Sequence, residues 1–292
     1  PIRTENPEFL TTRSRFGKPP MRHTLGLSLL LLCGSSTATA QDGEIHKSQR
    51  ILMLWHSPDG HPRSTHEYQA GMRVLARCLQ SQRKLQVILV HANSPWPEGP
   101  ELLDGADAVA LFVSEGAKWM SEEPRRLAAF QRLAARGGGL AGLHWGIGTR
   151  QAKHINAYLS LLGGCHGGPD RKYTVVTARV QPATPGHPVL RGLTPFSIRD
   201  EFYYQLKFVK PAEKVKPIIQ AEIEGRTETI SWAWQRDDGG HSFGFSGLHY
   251  HKNWQLPEYR RLVIQAILWT SKIPVPEGGI DVDVPTELFK LE

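Results

Sequence analysis

The sequence has few cysteines and no cluster of basic residues, which argues against disulfide-rich and nucleic-acid-binding proteins. Its 292 residues include three cysteines, of which only Cys78 and Cys165 lie beyond residue 40. Two cysteines are too few for a disulfide framework, although one bridge between them stays open. Lysine and arginine are scattered among acids, and removing the first forty residues, with five basic and two acidic side chains, lowers the net charge from +7 to about +4. No nucleic-acid partner is expected, because the basic footprint of such a binder is missing.

The sequence also has no long hydrophobic run. The apolar stretch Leu25–Cys33 is about half of the roughly 20 residues that a membrane-spanning helix needs. It follows Met21 and a short basic stretch and precedes Ala38-Thr39-Ala40, the pattern of a secretory signal with its cleavage site. We therefore predict an upstream extension at 1–20, either not native or disordered, and a signal peptide at 21–40. The mature protein is expected to be secreted or periplasmic and not stably inserted in a membrane; a lipid anchor on the signal's cysteine is less favoured.

From residue 50 onward, short apolar runs alternate with amphipathic stretches. Apolar residues recur at helical spacing between His66 and Leu79, and residues 121–139 form a second predicted helix with Ser121 as its expected N-cap. This β-α-β-β-α-β order is typical of an α/β protein with a doubly wound, mostly parallel sheet. The predicted strands of this half are Ile51–Trp55, Leu85–Val90, Ala108–Val113 and Gly139–Leu143.

The second half of the chain is richer in strands than in helices. Only residues 257–272 have a convincing helical pattern, and no linker rich in proline, glycine or serine separates the halves. We therefore predict an antiparallel extension of the same sheet, within one domain at 48–275 that is followed by a C-terminal tail at 276–292. The predicted strands are Tyr173–Val180, Ile198–Tyr204, Val215–Gln220, Ile230–Trp234 and Phe243–Ser246.

Polar side chains follow the predicted strand ends, where ligands bind in open α/β sheets. The first strand leads to His56, His66 and Glu67, and the fourth leads to His144. Histidine suits both proton transfer near neutral pH and metal binding. His144 stands between two glycines in "GLHWG", a turn that in α/β hydrolases and amidotransferases carries a serine or cysteine nucleophile.

Two later segments add candidates. His166 lies in the glycine-rich "GGCHGGP", and His249 and His251 stand two apart after a predicted strand, where both can point the same way. In "RDEFYY", Asp200 and Glu201 face opposite sides of a strand, so only one is expected to enter the site unless the backbone bends. Nearby aromatic side chains could stack on sugar rings or pack in the core, and the candidates for stacking are Trp145, Tyr203 and Trp254.

Three stretches carry a resemblance to a known family: "GGGLAGLHWG", "HPVLRGLTPFSIRDEFYY" and "GGHSFGFSGLHYHKNWQLPEYRRLVIQAILWTSKIPVPEGG". Over about residues 50–280, the chain resembles the ThuA-like (trehalose utilisation) family. The resemblance implies a class I glutamine amidotransferase-like fold, a flavodoxin-like three-layer sandwich, with His144 where those enzymes carry their cysteine. Without that thiol, their covalent acyl chemistry is not expected.

The resemblance implies a role in the use of trehalose, related disaccharides or their keto derivatives. Together with the residues it favours acid–base chemistry on a glycoside or keto-glycoside, with Glu67 or His66 as base and His144 as acid. A divalent metal such as zinc is expected on His166, His249 and His251.

Two alternatives stay open. In one, Glu67 and Glu201 form a hydrolytic carboxylate pair; in the other, the protein binds carbohydrate without catalysis. The expected partner is a small-molecule carbohydrate, and a homo-oligomer is left open. The residues expected to contact the sugar are His56, Trp145, Asp200, Tyr203 and Trp254.

Overall fold

The computed structural model describes residues 48–80, 82 and 85–291. The predicted extension and signal peptide lie outside the described residues. Strands and α-helices alternate in the first half of the described chain, and strands dominate the second half. In chain order the elements are β1 Gln49–Trp55, α1 Tyr68–Leu79, β2 Leu85–His91, α2 Gly99–Asp104, β3 Ala108–Phe112, α3 Gly116–Glu122, α4 Pro124–Ala135, β4 Gly139–Leu143, β5 Gly148–Thr149, α5 Ile155–Leu162, β6 Gly164–Gly167, β7 Lys172–Pro182, β8 Phe196–Tyr204, β9 Lys207–Phe208, β10 Val215–Ile223, β11 Arg226–Gln235, β12 His241–Phe245 and α6 Pro257–Thr270.

Nine of these strands form one sheet in the order β2-β1-β3-β4-β12-β11-β10-β7-β8. The four strand pairs from β2 to β12 are parallel, and the four pairs from β12 to β8 are antiparallel. The parallel half has the flavodoxin-like order, with its switch point between β1 and β3. The predicted fold class, a mostly parallel α/β sheet with an antiparallel extension, is therefore confirmed.

Apolar side chains cover both faces of the parallel strands, as expected where helices pack on each side. Ile51 and Met53 join the core cluster that contains residues of α1 and α6, whereas Leu52 and Leu54 join the cluster that contains residues of α4 and α5. The two cysteines are free and buried, one in each cluster. A bridge between them is therefore not formed, because the sheet lies between the two thiols.

The predicted helix at 121–139 is interrupted, and Ser121 as its N-cap is wrong. Ser121 lies inside α3 and its hydroxyl donates to the carbonyl of Ala117. The Glu123 carboxylate caps α4 instead, accepting hydrogen bonds from the backbone N–H groups of its first turn at 2.9 and 2.7 Å. Pro124 explains the break, since proline cannot continue α3 but fits the first position of a new helix.

The short strands and the C-terminal tail complete the fold. The glycine-rich segment around His166 is strand β6, which pairs with β5 and β9. Beyond residue 275, Ile280 and Val282 are buried against the core. Among the described residues, the structure contains no helix with both the length and the apolar character needed to span a bilayer.

Candidate active site

His144 lies at the carboxyl end of β4 and is fully buried. Its φ of 47° is in the left-handed region, which a residue with a side chain rarely adopts. Gly146 permits this sharp turn, because a Cβ there would lie 2.7 Å from the carbonyl oxygen of Leu111. Nδ1 of His144 donates to the carbonyl of Ser246, just after β12, at 2.8 Å. In its neutral form, this imidazole therefore presents an unprotonated Nε2.

His66 reaches the same point from the loop between β1 and α1. Its Nδ1 lies 3.2 Å from the Asp59 carboxylate, which also accepts a 2.6 Å hydrogen bond from the Tyr68 hydroxyl. The backbone N–H of His66 donates to the carbonyl of His249 at 3.1 Å, which ties this loop to the segment after β12. Asp59 thus fixes the ring of His66 with Nε2 directed toward His144, 3.1 Å away.

His249 is positioned through Asp200 in β8. The Asp200 carboxylate is fully buried and accepts hydrogen bonds from the N–H of Leu248 at 2.7 Å, the N–H of His249 at 3.2 Å and the hydroxyl of Tyr259 at 3.0 Å. Its oxygens are therefore occupied by the protein and have no surface for a sugar. Asp200 is a positioning residue, and the next side chain along β8, that of Glu201, points toward the histidines.

Three imidazoles and one carboxylate converge. The Nδ1 of His249 lies 3.1 Å from Nε2 of His66 and 3.3 Å from Nε2 of His144. Oε1 of Glu201 lies 3.6 Å from Nδ1 of His249 and 3.9 Å from Nε2 of His144. The four possible ligand atoms all lie within 4.8 Å of one another. We call these residues (His66, His144, Glu201 and His249) the histidine–carboxylate cluster.

The surroundings shift the proton affinities of the cluster in opposite directions. Burial lowers the pKa of His66, that of His144 and that of His249, the last to about 4. Burial, and then the charge of Asp200, raise the pKa of Glu201 to about 7. Near neutral pH the imidazoles are therefore uncharged, and Glu201 can both accept and release a proton.

A crevice of about 90 Å³ opens above the cluster. Tyr203 stands between His144 and His166, with ring centroids 4.6 Å and 3.9 Å away, and its hydroxyl lies 3.1 Å from Nε2 of His144. At the mouth, Tyr173 is 56% exposed, so an aromatic face is available to a ligand. The crevice is lined by His61, His66, Trp145, Arg150, His166, Arg171, Tyr173, Glu201 and Tyr203.

Several predicted site residues lie elsewhere. His56 bridges strand ends, with Nε2 donating to the carbonyl of Ala92 and Nδ1 accepting from the N–H of Ser114. Trp254 is 1% exposed and packs in the core. The carboxylate of Glu67 accepts from the N–H of Ser64 and lines a different cavity, of about 350 Å³, that shares His66 with the crevice. His251 is buried and is not part of the cluster. His166 lines the crevice but is likewise not among the four.

The structure adds residues that the sequence did not single out. Asp59 holds both His66 and His61, whose Nδ1 lies 2.6 Å from the carboxylate. Arg171 and Tyr173 complete one wall of the crevice. The histidines in this loop stand out in the sequence, but a lone aspartate two or seven residues before a histidine is too common a pattern to identify a hydrogen-bond partner.

The fold and site define an α/β protein of flavodoxin-like order with a buried histidine–carboxylate cluster at the carboxyl edge of its parallel strands. The family model for ThuA, described as trehalose utilisation, matches residues 50–270. The chain belongs to the ThuA family.

Comparison with a solved ThuA-like protein supports this fold. A ThuA-like protein from Bacteroides uniformis superposes with a TM-score of 0.59 at 14% identity, covering 77% of this chain and 92% of that protein. The glutaminase domain of Trypanosoma brucei CTPS, solved with bound acivicin, gives a TM-score of 0.45 at 9% identity, covering 80% and 99% of the two chains. A comparison with curated proteins finds no match.

Proposed function

We propose that this protein is a secreted enzyme of carbohydrate utilisation that acts on a glycoside or keto-glycoside by acid–base chemistry with metal assistance. Family membership supports the carbohydrate role, and the signal pattern at residues 21–40 supports secretion. The observation that carries catalysis is the convergence of three buried imidazoles and Glu201 beneath one crevice.

The chemistry suits a sugar that bears a ketone. The C–H next to a carbonyl is acidic, and a positioned base removes its proton while the carbonyl oxygen gains negative charge. The Glu201 carboxylate lines the crevice within 3.9 Å of two of the imidazoles and is placed for this step, and His61, held at Nδ1 by Asp59, is a second proton acceptor in the crevice. The enediolate then expels the glycosidic oxygen, which takes up a proton, or is reprotonated at the neighbouring carbon.

The competing chemistries have less support. Covalent acyl transfer needs an activated thiol or hydroxyl, and position 144 is a histidine. Cys165 is fully buried, and burial raises the pKa of its thiol to about 12. Hydrolysis by Glu67 and Glu201 as a pair needs both carboxylates beside one glycosidic bond, whereas Glu67 lines the neighbouring cavity and not the crevice.

The test follows the consumption of native and 3-keto disaccharides by NMR. We expect turnover of a keto-disaccharide by the wild type and by His241→Gln, a control at the amino end of β12 whose Nδ1 binds the carbonyl of Trp269. Glu201→Gln is expected to lower kcat by about 100-fold or more, the scale of a lost general base. Sugar binding without turnover of any substrate would instead identify a non-catalytic carbohydrate-binding protein.

A further inference from the structure

We infer that the histidine–carboxylate cluster is a divalent metal centre whose ligands are Nε2 of His66, Nε2 of His144 and Nδ1 of His249, with the Glu201 carboxylate beside an open fourth position. Zinc is the ion that fits this donor set best. The inference names the ligands of the metal assistance in the proposed function, but ion binding does not depend on which substrate the protein uses.

The first argument is the direction of the imidazole protons. Nδ1 of His144 faces a carbonyl oxygen and Nδ1 of His66 faces the Asp59 carboxylate, so each neutral ring carries its proton on Nδ1. Their Nε2 atoms, 3.1 Å apart, then present two lone pairs to each other. Such a pair repels unless a cation or another donor lies beside it, and a metal ion supplies that cation.

The second argument is the spacing of the donors. The three nitrogens form a triangle with sides of 3.1, 3.1 and 3.3 Å. Donors around a tetrahedral ion at about 2.0–2.1 Å stand about 3.4 Å apart, so the triangle needs little adjustment to hold zinc. Oε1 of Glu201, at 3.6 and 3.9 Å from two of the nitrogens, lies beside the open fourth position, where it can act on a substrate.

The third argument is the support around the ligands. Metal-bound histidines commonly donate their second ring N–H to a carboxylate or a backbone carbonyl, which fixes the ring and makes it a better ligand. Asp59 does this for His66 and the carbonyl of Ser246 does it for His144. His66 and Glu201 line the crevice, so an ion on this centre would have a path of entry and an open position for a substrate oxygen.

A network without metal is the alternative that the test must exclude. In it the Tyr203 hydroxyl donates to Nε2 of His144, and Nδ1–H of His249 donates to Nε2 of His66. This arrangement uses the same atoms but predicts no affinity for an ion. It also predicts that a chelator leaves the stability of the protein unchanged.

The experiment measures ion binding and not activity. The full chain is stripped with a chelator, dialysed against buffered Zn²⁺ and assayed for bound metal, and Co²⁺ is titrated while its visible absorption is followed. We expect one ion per chain. His144→Gln and His249→Gln should each lower the affinity more than about 100-fold, and Asp59→Asn should lower it about 10- to 100-fold through His66.

Three controls make the result decisive. His241→Gln should bind like the wild type, as should His251→Gln, since neither side chain belongs to the cluster. Zn²⁺ should raise the thermal unfolding midpoint of the wild type but not of His144→Gln, which also reports whether that variant folds. No bound ion in the wild type, or equal binding by His144→Gln, would overturn the inference. Zinc binding without turnover of any sugar would uphold the centre and refute the proposed function.

Discussion

Replacing Asp200 by asparagine should destabilise the protein and disturb the site, although Asp200 itself contacts no substrate. One oxygen of this carboxylate accepts from the N–H of Leu248 and the hydroxyl of Tyr259, and the other accepts from the N–H groups of Glu201 and His249. Asparagine keeps one oxygen, and its NH₂ group takes the place of the other. If the NH₂ group faces Tyr259, the hydroxyl can turn and accept from it, but the N–H of Leu248 is left without an acceptor. The remaining hydrogen bonds lose the carboxylate charge that strengthens them.

The magnitude follows from two opposing effects. A hydrogen bond to a charged group contributes about 1.5–3 kcal/mol, and an unsatisfied buried donor adds its own desolvation cost. Removing a buried charge offsets part of the loss, since burial raises the pKa of Asp200 to about 6 and so disfavours its ionised form. We expect a net decrease of about 2–4 kcal/mol in the free energy of unfolding.

Urea unfolding followed by circular dichroism measures this decrease. Asp170→Asn is the matched control, because its carboxylate is 69% exposed and pairs with Lys207 at the surface, and it should leave the unfolding midpoint unchanged. Because Asp200 holds the segment that carries His249, Zn²⁺ affinity should fall as well. A midpoint and a metal affinity equal to those of the wild type in Asp200→Asn would refute the reasoning.

Two further predictions concern stability. Burial lowers the pKa of His56 to about 4, so its stabilising contribution is complete above about pH 6.5 and is lost as the pH falls toward 4. His56→Gln should therefore remove up to about 3 kcal/mol of the acid-induced loss in the free energy of unfolding, measured across that pH range. An unchanged pH profile would contradict the assignment. Gly116→Ala would place a Cβ 2.1 Å from the carbonyl oxygen of Gly146 and should lower the free energy of unfolding by about 1–3 kcal/mol or more. Gly278→Ala, whose Cβ would have nothing within 4 Å, should have little effect. Equal unfolding midpoints for the two variants would exclude the clash.

The sequence predicts most of the fold because the main signals are local. Short apolar runs between turns identify nine strands, and the signal is clearest for β3 and β4, because strands buried on both faces need uninterrupted apolar residues. The alternation of side chains along a strand also predicts that Asp200 and Glu201 separate to opposite faces. No local pattern tells which of these two side chains points into the site, because this depends on how β8 packs against the rest of the protein.

The site itself is less accessible to sequence reasoning. Three loops at one edge of the sheet bring together His66, His144 and His249. That ligands bind at the carboxyl ends of parallel strands predicts this edge as the site, but it does not predict which side chains contact one another there. The strand before His249 ends at Phe245, and His251 begins a 3₁₀ turn. The alternation of side chains along a strand therefore does not apply to this pair, and His251 is not part of the cluster. Asp59 was missed because its role depends on the folded shape of a loop.

Solvent deuterium incorporation is the measurement that tests the central claim most directly. A keto-disaccharide is incubated in D₂O with the Zn²⁺-loaded wild type, Glu201→Gln or His241→Gln, and the carbon beside its carbonyl is followed by NMR. The account predicts enzyme-dependent exchange or elimination at that carbon for the wild type and His241→Gln, and at least about 100-fold slower reaction for Glu201→Gln. Equal rates in the two variants, or no reaction at that carbon while the sugar binds, would contradict it.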